Sequence, residues 1–203
     1  MAKEAYDRLA DHYDTSIRFA ERKWFSSWRK KYLSRLKGEV LEIGIGTGQS
    51  IRYYNQSAHV IGIDSSSHML KIAKKRLLDS GRCNVCIRKM NSDNLRFPDR
   101  KFDHVVTFLI FCSVSKPEKT ISEIKRVLKP DGTGIFVEHV LSSNKLGAIS
   151  QRLMNPATKF LISDDITRDT RQDLINSGFK IIKEENLLLG DVFRMFAVKK
   201  VKR

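Results

Sequence analysis

The stretch LEIGIGTG, residues 41–48, decides the fold because three glycines join an apolar run to a polar one. Glycine at such a turn adopts unusual backbone angles without strain and lets a ligand approach the main chain. The residues before the turn, EVLEIG, predict a strand, and residues 47–55 predict a helix. Open α/β sheets bind ligands at this kind of position, beyond the carboxyl ends of their strands.

Outward from this turn, segments with strand character alternate with segments of helical periodicity. Strands are predicted at AHVIGID, CNVCIRKM, FDHVVTFLIF and TGIFVEHV, and helices at SSHMLKIAKKRLLDSG, at 116–128 before the turn KPDG, and at DTRQDLINSG. Such alternation predicts a parallel sheet with helices on both faces. The segments FKIIKEENLLL and DVFRMFAVKK instead predict an antiparallel hairpin. The predicted fold is α/β, a mostly parallel seven-stranded sheet that ends in an antiparallel hairpin.

The composition fits one globular domain with an unusual charge. The 203 residues are 41% hydrophobic, which is enough for one substantial core. The apolar run at 105–114 is too short to cross a bilayer, and the acidic N-terminus is unlike a secretory signal. Lysine and arginine number 38 against 23 acidic residues, and the net charge is +15. This balance favours a polyanionic partner, either nucleic acid or an anionic lipid surface.

The three cysteines predict free thiols in a reducing cytoplasm. Cys83 and Cys86 form a CxxC motif, but no second pair or histidine cluster accompanies it. We therefore expect a structural role for this pair and no metal site. Cys112 is expected to be a buried thiol at a strand end rather than a nucleophile.

Residues 4–36 predict two helical segments, and the second is basic. No acidic residue occurs between positions 22 and 37. Its apolar residues recur at helical spacing, at Phe25, Trp28, Tyr32 and Leu36. Lysines lie seven apart on another side, at Lys23, Lys30 and Lys37. The pattern is typical of an interfacial membrane helix, and equally of a helix that packs its aromatics on the domain. We divide the chain into an N-terminal amphipathic helical segment (1–37) and a ligand-binding part (38–203), which together form one structural domain.

The residues around the glycine turn favour a cofactor with a positive centre. A dinucleotide site would carry G-x-G-x-x-G, whereas this turn reads G-I-G-T-G after Glu42. The charge of Glu42 suits a cation better than a phosphate. Asp64 ends the next predicted strand, where a carboxylate accepts hydrogen bonds from ribose hydroxyls. S-adenosylmethionine (SAM) combines a ribose with a positive sulfonium and has no phosphate.

Four segments resemble, in order, the motifs of the class I SAM-dependent methyltransferases: VLEIGIGTG, VIGIDSSSHML, NSDNLRFPDRKFD and RVLKPDGTGIFVEHV. The resemblance covers about residues 38–140 and implies a Rossmann-like fold with SAM as the cofactor. Gly44, Gly46 and Gly48 would shape the loop against the methionyl part and the ribose. Glu42 would orient this loop and the amino group of SAM, and Asp64 would hold the ribose. The other expected cofactor contacts are Ser65, Met69, Asn91 and Ser92.

Two of these contacts carry alternatives. Met69 is expected either near the adenine or in the core, as a helix methionine usually is. Asn91 stands where relatives usually carry Asp, and its carbonyl could still accept a hydrogen bond from the adenine amine.

Other segments resemble a narrower branch, the small bacterial phosphatidylethanolamine N-methyltransferases and the related membrane-associated thiol methyltransferases. These segments are YDRLADHYD, EHV and MNPATKFLISDDITRDTRQDLINSGF. The resemblance implies that the N-terminal helices form a lid over the cofactor and rest on a membrane. Tyr6 and Tyr13 would then line the mouth of the active site as catalytic groups, or else cap the fold structurally.

Two further residues are candidates for the acceptor side. His139 ends the fifth predicted strand and is expected to face the methyl acceptor, as a base for an ammonium or a cation for a phosphate. A structural histidine is the alternative. Arg168 is expected to bind the substrate phosphate, or to pair with Asp165 or Asp169.

The predicted function is SAM-dependent N-methylation of phosphatidylethanolamine and its methylated intermediates, by a cytoplasmic protein at the inner face of the membrane. Four interpretations stay open beside it: a thiol acceptor, a quinone precursor, RNA, and SAM binding without catalysis. The charge allows RNA, but the sequence carries no recognisable RNA-binding appendage.

Overall fold

The computed structural model describes residues 2–201. Within them lies one seven-stranded sheet, with the strand order β3-β2-β1-β4-β5-β7-β6. The strands are β1 Gly38–Ile43, β2 Ala58–Asp64, β3 Val85–Lys89, β4 Phe102–Phe108, β5 Leu128–His139, β6 Phe179–Leu188 and β7 Phe193–Lys200. The first five pair in parallel, and β7 pairs antiparallel with both β5 and β6. The predicted sheet and its closing hairpin are confirmed.

The helices surround this sheet. They are α1 Ala2–Ser16, α2 Arg18–Ala20, α3 Ser26–Leu33, α4 Ser67–Ser80, α5 Pro117–Val127, α6 Lys145–Ile162 and α7 Thr170–Asn176. A π-helical turn, Glu21–Phe25, joins α2 to α3. Within residues 2–201, no helix combines the length and the apolar character needed to cross a membrane.

The two faces of the sheet carry separate hydrophobic clusters. Leu41 and Ile43 of β1 belong to the cluster that includes Ile121 and Ile124 of α5. Val40 belongs to the opposite cluster, which α3 covers. Successive side chains of a strand point to opposite faces, so helices cover both faces as predicted.

Two local predictions are wrong, and one helix is absent from the prediction. The helix expected at 47–55 is only a 3-10 turn, Ile51–Tyr53, because Gly48 has a left-handed φ of +82° and Tyr54 is extended. The turn KPDG lies inside β5 as a bulge, since the pairing with β4 shifts between Phe102 and His104. Helix α6 was not predicted, and Pro156, a residue that normally ends a helix, stands inside it.

The basic segment 22–37 packs its apolar side on the domain. Phe25, Trp28, Tyr32 and Leu36 are at most 9% exposed. The ring of Phe25 lies 6.3 Å from that of Phe108, and the ring of Trp28 lies 5.8 Å from that of Phe193. Of the two interpretations of this segment, the structure therefore shows a helix that packs its aromatic side chains on the domain. Lys23, Lys30 and Lys37 are exposed.

Candidate functional site

A cavity of about 440 Å³ lies at the carboxyl ends of β1, β2 and β4. Its walls are the glycine turn, the end of β2 and two loops at 90–93 and 108–115, and Tyr6 and Tyr13 of α1 line it as well. Small-molecule sites of open α/β sheets occupy this position and have volumes of about 300–1,000 Å³. The cavity lies where the sequence predicted a ligand site, and the predicted site residues form part of its wall.

The glycines of the turn serve different purposes. Gly44 and Gly46 line the cavity and have φ values of +74° and +56°, where a side chain would be strained. A Cβ on Gly44 would lie 2.3 Å from Ile110, whereas a Cβ on Gly46 would meet only the Gly44 carbonyl oxygen, at 4.0 Å. Gly46 therefore leaves open space for a ligand. Gly48 is not in the wall, and a Cβ there would lie 2.7 Å from Ile51.

Glu42 lies beneath the turn rather than in the cavity. Its side chain is 1% exposed, and it accepts hydrogen bonds from the hydroxyls of Ser50 and Tyr54, the latter at 3.0 Å. Burial raises the pKa of Glu42, and the two hydroxyls oppose the shift. Glu42 thus orients the segment after the glycines, as expected. It is not among the residues that line the described cavity, so direct contact with a cofactor amino group is not supported.

Asp64 lines the cavity at the end of β2. Its carboxylate accepts hydrogen bonds from the backbone N–H of Gly46 at 3.0 Å and of Ser66 at 2.9 Å. Burial raises its pKa, while these backbone donors act in the opposite direction. Two contacts therefore fix the carboxylate beside the glycine turn. Ser65 and the buried Met69 follow it in the same wall.

Asn91 and Ser92 form the wall beyond β3. The Ser92 hydroxyl lies 3.0 Å from that of Thr120 on α5, which ties this loop to the domain. The loop lies in the cavity wall together with Ser65 and Met69.

Helix α1 forms the roof, and polar contacts hold it there. Tyr6 donates to Asp164 at 3.0 Å, and the Thr47 hydroxyl donates to Asp14 at 2.7 Å. A third contact joins Asp7 to the Ser66 hydroxyl. Tyr6 and Tyr13 both line the cavity beneath this roof.

The two roof tyrosines are held in the neutral form. Burial raises the pKa of Tyr13 to about 12, and burial raises that of Tyr6 as well. At neutral pH both phenols therefore carry their protons and can donate hydrogen bonds.

The loop after β4 forms a wall that sequence reasoning missed. Leu109 adopts a φ of +57°, which is uncommon for a residue with a side chain. The buried Glu138 accepts from the backbone N–H of Ile110 at 2.9 Å and of Phe111 at 3.1 Å. Burial raises the pKa of Glu138 to about 7. The motif EHV includes Glu138, but the sequence led us to expect the acceptor-side role for the neighbouring His139.

The prediction that His139 faces the acceptor is not supported. Its ring lies edge-on against Phe193, 5.1 Å between centroids, and it is not among the residues lining the cavity. Because side chains alternate along β5, Glu138 faces the cavity loop and His139 faces the aromatic cluster under α3. Burial lowers the pKa of His139, and its buried Nδ1 has no hydrogen-bond partner among the described residues.

Arg168 lies directly behind the cavity wall. Its Nη1 donates to the carbonyl oxygen of Val114, a lining residue, at 2.7 Å. The alternative pairings are not formed, because Asp165 binds Lys159 at 2.9 Å and Asp169 caps α7. Within residues 2–201, Arg168 forms no ion pair.

The three cysteines differ in burial, and Cys112 is buried as expected. Cys112 is buried, and burial raises its pKa well above the usual range, so its thiol is a poor nucleophile at neutral pH. Cys83 and Cys86 are exposed free thiols. In the described part of the chain, no group of three or more His, Cys, Asp or Glu residues could hold a metal ion.

Comparisons with known proteins give the family to which this chain is similar. A family model described as a methyltransferase domain matches residues 41–136. The phosphatidylethanolamine N-methyltransferase of Cereibacter sphaeroides is 39% identical over 103 residues, covering 50% of this chain and 51% of that protein. The human thiol S-methyltransferase TMT1B is 30% identical over 172 residues, covering 78% of this chain and 70% of that protein. A Thermotoga maritima demethylmenaquinone methyltransferase is 33% identical over 144 residues, covering 68% of this chain and 61% of that protein.

Solved structures share the fold. A SAM-dependent methyltransferase from Thermotoga maritima superposes with a TM-score of 0.73 at 20% identity, covering 98% of this chain and 99% of that one. The match with this chain spans about half the length of the Cereibacter sphaeroides protein and 70% of the length of the human protein.

The residues present fit SAM. The open face of Gly46 gives a ligand room to approach the backbone, and Asp64 holds a carboxylate beside it. Both line the same cavity as Met69 and Asn91. Gly44, Gly46, Asp64, Ser65, Met69, Asn91 and Ser92 would hold the cofactor there.

Proposed function

This chain belongs to the class I SAM-dependent methyltransferases, and on that premise we propose that it methylates the amine of phosphatidylethanolamine and of its methylated intermediates at a membrane surface. The observation that carries the transfer itself is the cavity in which Gly46 and Asp64 meet under the tyrosine-lined roof. The lipid acceptor is supported by the 39% identity to a protein with that activity, which extends over 103 residues.

When bound, SAM supplies an electrophilic methyl group on a sulfonium. The protein must then position the acceptor and accept its proton, because a protonated amine has no lone pair to attack with. Tyr6 and Asp164 are suited to accept this proton, because Tyr6 lines the cavity and its hydroxyl donates to Asp164 at 3.0 Å. A proton from the ammonium would pass to the Tyr6 oxygen while the Tyr6 proton passes to Asp164. Burial raises the pKa of Asp164, which makes it a better base than an exposed aspartate.

Tyr13 would complete the roof as a hydrogen-bond donor, since its raised pKa keeps its proton in place. Arg168 would bind the phosphate of the headgroup. Its guanidinium lies next to Val114 in the cavity wall and forms no ion pair within the described residues. We assign no step to His139, because its ring packs on Phe193.

The test is methyl incorporation from labelled SAM into phosphatidylethanolamine vesicles, run beside a small thiol, a demethylated quinone and bulk RNA. We expect label in the phospholipid, and we expect Asp64→Ala to weaken SAM binding by about 1.5–3 kcal/mol through lost hydrogen bonds to a charged group. The matched control is Asp79→Ala, an exposed aspartate of α4 outside the cavity wall.

The thiol acceptor is the second candidate function. It is favoured by the match to the human thiol S-methyltransferase, which covers 70% of that protein. Label in the thiol with none in the phospholipid would establish this candidate and refute the lipid proposal.

A further inference from the structure

Helix α6 carries its polar side inward. Gln151 and Asn155 are only 6% and 9% exposed. Gln151 Nε2 donates to the carbonyl oxygens of Val140 at 2.9 Å and of Ile166 at 3.1 Å. Asn155 Oδ1 accepts from the Ile166 N–H at 2.9 Å, and its Nδ2 donates to the Thr167 hydroxyl at 3.1 Å. Hydrogen bonds between amide side chains and neighbouring loops therefore attach this face of α6 to the domain.

The outer side of α6 is apolar. Its exposed residues are Leu146 (78%), Ile149 (52%), Leu153 (78%), Met154 (59%), Phe160 (89%) and Leu161 (68%). At about 100° per residue, these six side chains fall on one continuous arc of the helix. Large contiguous apolar patches on a protein surface mark a site of association with a partner or a membrane.

Basic residues run along one border of this arc. Lys145, Arg152 and Lys159 are exposed, lie seven residues apart, and are accompanied by no acidic residue within α6. Lys159 pairs with Asp165 at 2.9 Å, while Lys145 and Arg152 form no ion pair within the described residues. An apolar face bordered by cations is the composition of a helix that lies in the headgroup region of an anionic bilayer.

We infer that α6 is the element that docks this protein on a membrane and that an anionic lipid bilayer covers its outer face. The inference rests on the proposed function, which requires access to a lipid. A second copy of the chain fits this face less well, because it would bring together two molecules of net charge +15. Asp164, two residues after the end of α6, also holds the roof helix α1, because it accepts the hydrogen bond from Tyr6. Docking through α6 therefore places the edge of the cavity roof near the lipid surface.

The experiment is sedimentation with vesicles of pure phosphatidylglycerol and of pure phosphatidylcholine, without SAM. We expect the wild-type protein to bind phosphatidylglycerol and to release partly as salt rises. The variant Leu153→Glu/Phe160→Glu should lose at least about tenfold in vesicle affinity, because two large apolar side chains no longer enter the bilayer. Lys145→Gln/Arg152→Gln should lose about tenfold at low salt.

The matched control is Leu78→Glu, which changes a leucine of α4 that is 82% exposed. It should bind vesicles like the wild type, and all variants should keep wild-type SAM affinity, which shows that they are folded. Normal sedimentation of Leu153→Glu/Phe160→Glu would overturn the inference, as would loss of binding only when Lys23, Lys30 and Lys37 become Glu. A dimer that dissociates in the α6 variant, with vesicle binding unchanged, would assign the face to a second copy. Vesicle binding through α6 without methyl transfer to phosphatidylethanolamine would refute the proposed function and leave the docking face standing.

Discussion

Two basic amphipathic helices pack on this domain in opposite orientations. In α3 and the turn before it, the aromatic side is buried against the sheet and the lysines point to solvent. In α6 the amide side is buried, and leucines and Phe160 point to solvent. Both segments lack acidic residues between their basic ones, so composition alone does not distinguish them. The difference shows that an amphipathic pattern predicts a helix with two faces, while the neighbouring surface decides which face is covered.

The comparison predicts that α3 stabilises the fold and that the outer face of α6 does not. Trp28→Ala should lower the free energy of unfolding by about 3–5 kcal/mol, because it empties a packed site against Phe193. Leu153→Ala, on the outer side of α6, should change it by less than about 0.5 kcal/mol. Urea unfolding of both variants measures the difference. Similar losses in the two variants would contradict the opposite orientations.

The inner side of α6 gives an intermediate effect. Asn155→Ala removes the acceptor of the Ile166 N–H and the donor to Thr167, so we expect a loss of about 1–3 kcal/mol of unfolding free energy. Ser150→Ala is the control, since the hydrogen bond of this exposed hydroxyl goes to the Gly147 carbonyl in the same helix. An Asn155→Ala protein as stable as the control would mean that α6 is held by something other than its amides.

The contacts that attach α3 to the domain also differ in their pH dependence from those that attach α6. Hydrogen bonds from Lys183, Lys31 and Tyr32 lower the pKa of Glu185 to about 2, which ties α3 to β6. Because this value lies below the unfolded pKa of about 4.3, the contact stabilises the fold above pH 4.3 and is lost as the pH falls towards 2.

Glu185→Gln should therefore lower stability by about 1 kcal/mol at neutral pH, a modest value for a partly solvated pair. The difference in unfolding free energy between the wild type and this variant should disappear in acid. Urea unfolding at pH 7 and about pH 3 measures it. A gap of equal size at both pH values would show that the carboxylate charge does not anchor α3. The amides of α6 do not titrate, so Asn155→Ala should show no such change.

The sequence predicts the cofactor half of the site far better than the acceptor half. The glycine turn and Asp64 are encoded by local patterns within one βα unit, so position along the chain was enough to place them. The acceptor side depends on distant contacts, such as the bond between Tyr6 and Asp164, which are 158 residues apart. His139 was misplaced because a strand's two faces differ by one residue, and the sequence does not say whether position 138 or 139 faces the cavity. Helix α6 was missed although its apolar spacing is regular.

The most direct test of the central claim is the lipid composition of a bacterial host that makes phosphatidylethanolamine and no phosphatidylcholine, after it expresses this chain. We expect mass spectrometry of lipid extracts to find monomethylated and more highly methylated phosphatidylethanolamine with the wild-type protein. Asp64→Ala, expressed to the same level, should leave these lipids near the level of the empty host. Unmethylated lipid in cells that contain folded, SAM-binding wild-type protein would contradict the account.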